Sequence, residues 1–264
     1  MKPFLLVLGM SPALFGQWFN YPTARVPHKP DGSPNLAAPA PRGVDGKPDL
    51  SGMWAPVRRR PLDESLAGQL NATGPFWDFG SVIPGGLPYQ PWAAEVRNRR
   101  FADHSKDNPD VNCMPLGILQ MNTHPFPRRF IQTPGYLAIL HERDMEYRQI
   151  FTDGRPLPQD PQPAWNGYSS GKWAGNTLVV ETSGFCEGLW ADYDGSPLTS
   201  AAKITERFRR TNFGSMEIEM TVDDAKAYTK PWTAKIELAL ELDSELLEYV
   251  CLEGEKDSRH MVGK

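Results

Sequence analysis

Met216-Glu217-Ile218-Glu219-Met220-Thr221-Val222 alternates strictly between apolar and polar side chains. Side chains on a strand point to opposite faces with a period of two. This stretch therefore predicts a half-buried strand, with Met216, Ile218, Met220 and Val222 inward. Downstream, Trp232, Ala234, Ile236, Leu238 and Leu240 form the longest such stripe, in a strand over Trp232 to Glu241. Upstream, the same pattern marks strands at Lys203 to Arg210, Thr177 to Thr182, Tyr147 to Phe151 and Tyr136 to His141. Phe130 to Thr133 precedes Pro134-Gly135, and Gly175-Asn176 makes a turn before Thr177. Met53 and Trp54 open the series, and Leu246 to Leu252 is expected to end it.

Consecutive strands with short links and no crossover helices describe an antiparallel meander. Closure into a barrel of about eight strands removes both unpaired edges and can enclose one small ligand. A two-sheet sandwich shows the same alternation. The barrel is the expected fold, mainly β, with one or two short helices. A helix beginning at Pro91 is expected to carry Trp92 and Val96 on one face.

The 264 residues suffice for a sizeable core, and 26 prolines with 23 glycines argue against long helical bundles. A net charge of −4 offers no basic field for nucleic acid. Lys2 followed by Phe4 to Met10 reads as a short signal peptide over residues 1–16, which implies export. No stretch is long and apolar enough for a transmembrane helix. Residues 17–50 form a Pro-rich extended arm, either wrapped on the body or tethered loosely, with Trp18, Phe19 and Tyr21 as possible anchors. Residues 51–264 are read as one barrel domain. Three cysteines, Cys113, Cys186 and Cys251, allow three different single disulfides.

Several segments together resemble a large family of exported, mostly uncharacterised bacterial proteins. They are Pro48-Asp49-Leu50-Ser51-Gly52-Met53-Trp54, Gln132-Thr133-Pro134-Gly135, Thr177 to Phe185, Thr205 to Arg210 and Ala227 to Trp232. Gly52-Met53-Trp54 is also similar to the opening of lipocalin-like (calycin-type) barrels. The family resemblance implies a disulfide between Cys113 and Cys251, with Cys186 unpaired. Members often carry His at the positions of Leu157 and Leu198, and Asp at that of Asn176, so any chemistry those groups serve is lost or remodelled here.

Polar residues on apolar strand faces are the candidate chemistry. His141 alternates with Leu137 and Ile139, and Glu206 lies between Ile204 and Phe208. A buried histidine and carboxylate can serve as a general base and its orienter, or as an inert network. A second group falls near the strand links: Asp153, Trp165, Tyr168, Trp173, Trp190, Asp192, Tyr193 and Asp194, with Arg210 near a rim. Acids around aromatics can bind a ring, a sugar or a cation; Asp-Gly pairs also simply make turns. His141-Glu142 lacks the second histidine of a zinc-protease motif, no phosphate-binding glycine loop exists, and Ser169 and Ser170 read as a polar loop. No metal or cofactor is expected. The function indicated is acid–base catalysis (lyase, isomerase, cyclase or hydrolase) on a small apolar or aromatic molecule, with non-catalytic binding of a small hydrophobic ligand as the alternative.

Overall fold

The computed structural model describes residues 21–57 and 78–253. The expected signal peptide, Trp18 and Phe19 lie outside the described residues. Nine strands close into a barrel: β1 (Gly52–Pro56), β2 (Arg128–Thr133), β3 (Tyr136–His141), β4 (Tyr147–Phe151), β5 (Tyr168–Ala174), β6 (Thr177–Ser183), β7 (Lys203–Arg210), β8 (Ser215–Asp223) and β9 (Trp232–Leu240). Neighbours pair in chain order, and β9 pairs back onto β1. The expected barrel, with its alternating stripes, is therefore present: on β8 Met216, Ile218, Met220 and Val222 are all buried. Their outward neighbours make exposed cross-strand ion pairs such as Arg209–Glu217 at 2.7 Å, which contribute little to stability.

Three expectations are corrected. The meander is not wholly antiparallel, because β4 and β5 pair in parallel through Ile150↔Ser169. Residues 152–167 carry the chain back along the barrel before β5 begins. Ser169 and Ser170 lie within β5 rather than in a loop. Residues 246–252 form no strand, because β9 already closes on β1 and leaves no edge to extend. The segment instead runs over the surface, with Leu247 and Leu252 exposed.

One barrel end is covered by three helices, α1 (Phe79–Val82), α2 (Pro91–Ala102) and α3 (Gly117–Thr123), together with residues 184–202 and 224–231. Among the described residues none of the helices is long and apolar enough to cross a membrane. α2 begins at Pro91, where a proline costs no hydrogen bond. Its inward residue is Ala93, while Trp92 is 44 % exposed and donates to the Lys226 carbonyl at 2.8 Å. α3 has every residue buried. Gly117 opens it at φ +71°, where a β-carbon would come within 2.8 Å of Leu189 and 3.0 Å of the Trp165 carbonyl.

The other end is tied by the arm. The Ala38 and Leu36 carbonyls accept from the Phe213 and Gly214 amides at 2.7 and 2.8 Å. Arg210 lies 4.9 Å over the Trp54 ring and donates to the carbonyls of Asp49 (2.6 Å), Ser51 (3.2 Å) and Phe213. The described part of the arm is thus wrapped on the barrel rather than loosely tethered.

Candidate functional site

Inside the barrel, beneath α3, the apolar lumen gives way to a polar belt. Each strand contributes through its inward register. Arg128 on β2 pairs directly opposite His141 on β3, and directly opposed β-carbons lie about 5 Å apart. Arg148 on β4 pairs with Ile139, so it is the diagonal neighbour of His141. The Arg148 guanidinium donates to Ser169 Oγ of β5 (3.1 Å), to Thr182 Oγ1 of β6 (3.1 Å) and to both carboxylate oxygens of Glu206 on β7. Ser169 and Thr182 also bond each other at 2.9 Å. Met220 of β8 accepts from Asn122 Nδ2 of α3 at 3.4 Å. Asn122 Oδ1 accepts from Arg128 and closes the belt.

The belt is buried throughout: Glu206 is 0 % exposed, Arg128 1 % and His141 9 %. Both strand-face expectations therefore hold, and both side chains point inward. They do not pair. The Glu206 carboxylate is taken by Arg148, and among the described residues the His141 ring makes no hydrogen bond. Burial, then the Arg128 and Arg148 guanidiniums and His124, hold the His141 imidazole well below its ordinary pKa, so it is neutral at neutral pH. Burial lowers Arg128 to about 10, against Glu206, which raises it; it remains charged.

Arg128 and Arg148 are absent from the sequence-based candidates. The signal was available for Arg148, which alternates with Ile150 on a strand already recognised, while Arg128 alternates with Phe130 just ahead of the segment read from Phe130 to Thr133. Asn122 had no such signal, because nothing marks the buried helix that carries it.

The loop acids and aromatics do not form one site. Asp153 pairs with Arg155 at 2.6 Å, and Arg155 reaches the Tyr168 hydroxyl on the barrel's outer face. Tyr168 stacks on Phe151 at 5.3 Å. Trp173 lines a small cleft of about 60 Å³ at the arm end, with Asp45, Gln132, Thr152, Leu137 and Leu178. Trp165 packs against the core, its carbonyl beside Gly117. Trp190 lies beneath Arg100, 4.2 Å away. Arg210 serves the arm end described above.

Asp192 and Asp194 part company too. Asp194 pairs with Arg97 of α2 at 2.7 Å. Asp192 accepts from the Ser196 amide (3.1 Å), Ser196 Oγ (2.8 Å) and the Phe79 amide (3.3 Å), and Ser196 Oγ bonds the Tyr89 hydroxyl at 2.7 Å. Burial, with the Asp78 carboxylate nearby, pushes Asp192 up to about 8. The same two causes push Asp194 up to about 6, against the pull of Arg97. These groups latch the helical end together.

The Cys113–Cys251 disulfide is formed and Cys186 is free. Beside the bridge, Arg143 donates to Asp110 and to Tyr249, and His124 Nε2 lies 3.5 Å from Asp110. His124 Nδ1 faces the Gln120 carbonyl at 2.9 Å. Among the described residues, no group of three or more His, Cys, Asp or Glu is placed to hold a metal ion. In comparisons with known proteins, the chain matches no protein-family model and no curated protein.

Proposed function

We propose that this chain is an exported, cofactor-independent acid–base enzyme that moves a proton on a small apolar or aromatic molecule, with His141 as the proton carrier. The observation that carries this is the His141 ring: it is the belt side chain without a hydrogen bond, and it sits between two guanidiniums. A purely structural belt would be expected to satisfy that ring as it satisfies Ser169, Thr182 and Glu206.

The chemistry follows from charge. Neutral His141 takes a proton from a carbon next to a carbonyl. The C–H bond breaks, an N–H bond forms, and the electron pair moves onto the carbonyl oxygen as an enolate. A nearby guanidinium stabilises that oxygen in a low-dielectric setting. The imidazolium, crowded by like charge, gives the proton back readily, to the same carbon or to one conjugated with it. Glu206 is a positioning residue in this scheme. It neutralises Arg148 and holds it against Ser169 and Thr182, leaving Arg128 as the freer cation.

Export rests on the signal-like N-terminus and on the disulfide, a bond of oxidising compartments. A second reading, a non-catalytic binding protein for a small hydrophobic ligand, is favoured by the cleft that Trp173, Leu137 and Leu178 line.

The test uses phenylpyruvate, an aromatic acid with an exchangeable C–H, in deuterated buffer. Proton NMR should show exchange at least about 100-fold faster with the protein than in buffer, and His141→Ala should remove that acceleration. Exchange no faster than in buffer, or unchanged in the variant, overturns the enzyme. Binding of phenylpyruvate without exchange favours the carrier.

A further inference from the structure

We propose that the belt takes a carboxylate, docked between the Arg128 guanidinium and the His141 ring, so that the ligand is a small organic acid with an apolar or aromatic body. This rests on the proposed use of His141 and names the class of molecule brought to it.

The belt's charges do not balance. Arg148 has Glu206 as its counter-ion. Arg128 has none: its acceptors are the side-chain and main-chain oxygens of Asn122, and its Nε is buried without a partner. A buried cation without a counter-charge is costly, and a buried N–H without an acceptor adds to the cost. Arg143 and Arg210, the other buried guanidiniums, are better supplied: Arg143 has Asp110 as counter-ion, and Arg210 donates to the main-chain carbonyls of Asp49, Ser51, Asn212 and Phe213. His141, directly opposite in register, is the second unpartnered group and, at 9 %, the most exposed of the charged and aromatic belt members. The Arg128 Nε–H and the protonated nitrogen of the neutral His141 ring, on directly opposed residues, offer a carboxylate two donors, while the other ring nitrogen keeps its lone pair. The next inward residues on the same two strands are Phe130 and Ile139, which favour an apolar remainder over a sugar or an inorganic ion.

Phenylacetate and 2-phenylethanol, alike except for the acid group, test this on the full chain in ordinary water. Calorimetry should show the acid binding at least 10-fold more tightly than the alcohol. Arg128→Gln should lose at least 10-fold in acid affinity with the alcohol unaffected, and Arg128→Lys should keep most of the preference. Because Arg128→Gln can fail to fold, the wild-type Arg128 Nε–H NMR signal is followed as well. It should move with phenylacetate and stay with 2-phenylethanol. Equal affinities, or an unmoved signal at saturation, overturn the acid site. So does equal competition by sodium chloride, which would mark a bare charge site. Acid binding without proton exchange on phenylpyruvate removes the enzyme but keeps the acid site; exchange without acid preference does the reverse.

Discussion

Glu206 shows how far a residue's role can be judged from its strand. Its alternation with Ile204 and Phe208 places it inside, and it is there. Its partner is another matter. The carboxylate meets a guanidinium that starts three strands away, on β4, and reaches it past Ser169 and Thr182. Period-two patterning gives the face of each side chain, but which inward groups meet depends on stagger around the closed barrel. That stagger is set by all nine strands together. The pair has a measurable consequence. Glu206→Gln leaves the Arg148 charge buried without a counter-ion, and urea unfolding should show a loss of about 3–5 kcal/mol. Replacing both partners by apolar residues, Arg148→Met with Glu206→Leu, removes the two desolvation costs and leaves Ser169 and Thr182 bonded to each other. The double variant should therefore be more stable than the single one. A double variant as unstable as the single would show that the pair itself holds the barrel together.

Strands and helices differ sharply in how visible they are in the sequence. β8 and β9 announce themselves, because one face meets core and the other water along their whole length. α3 is buried all round, so it has no polar stripe from which a helical period can be read. β5 was half hidden, because Ser169, Ser170 and Gly171 break its apolar alternation while bonding inside the fold. The segment over 246–252 has the composition of a strand but no edge to join. It is held instead by Cys251, by Tyr249 against Arg143, and by the Leu247 amide on Glu142 at 2.9 Å. The disulfide spans 138 residues of sequence. Replacing both cysteines by serine should cost about 2–5 kcal/mol. Limited proteolysis should then cut first between Asp243 and Glu253, while the β2–β9 region stays protected. Equal resistance in the variant and the parent would mean that the side-chain contacts alone hold this segment.

At the scale of the whole molecule, two sets of buried titratable groups act in opposite directions on stability. Asp192 and Asp194 have raised pKa values, Asp192 about 8 in the fold against an ordinary 3.8. The folded state then holds more protons than the unfolded chain between those values. Stability is full at low pH and is lost as pH rises toward 8. The His141 ring is held well below its ordinary 6.5, so below that pH the unfolded chain takes a proton that the fold refuses. That contribution disappears as pH falls. The Asp110 carboxylate works in the same sense at lower pH. Burial raises it, but His124 and Arg143 bring it below its ordinary range. Above about pH 4 the two aspartates outweigh the single imidazole, so the two sets together predict a stability maximum near pH 4. The melting temperature should fall by about 5–10 °C between pH 6 and pH 8, taking about 1.4 kcal/mol per pH unit and 2–4 °C per kcal/mol. The cause can be isolated at one atom group. Asp192→Asn keeps an acceptor for Ser196 and cannot ionise, so its melting temperature should be nearly flat over that interval. A variant that still falls as steeply as the parent would place the alkaline loss elsewhere, with Asp194 and its Arg97 pair as the group to replace next.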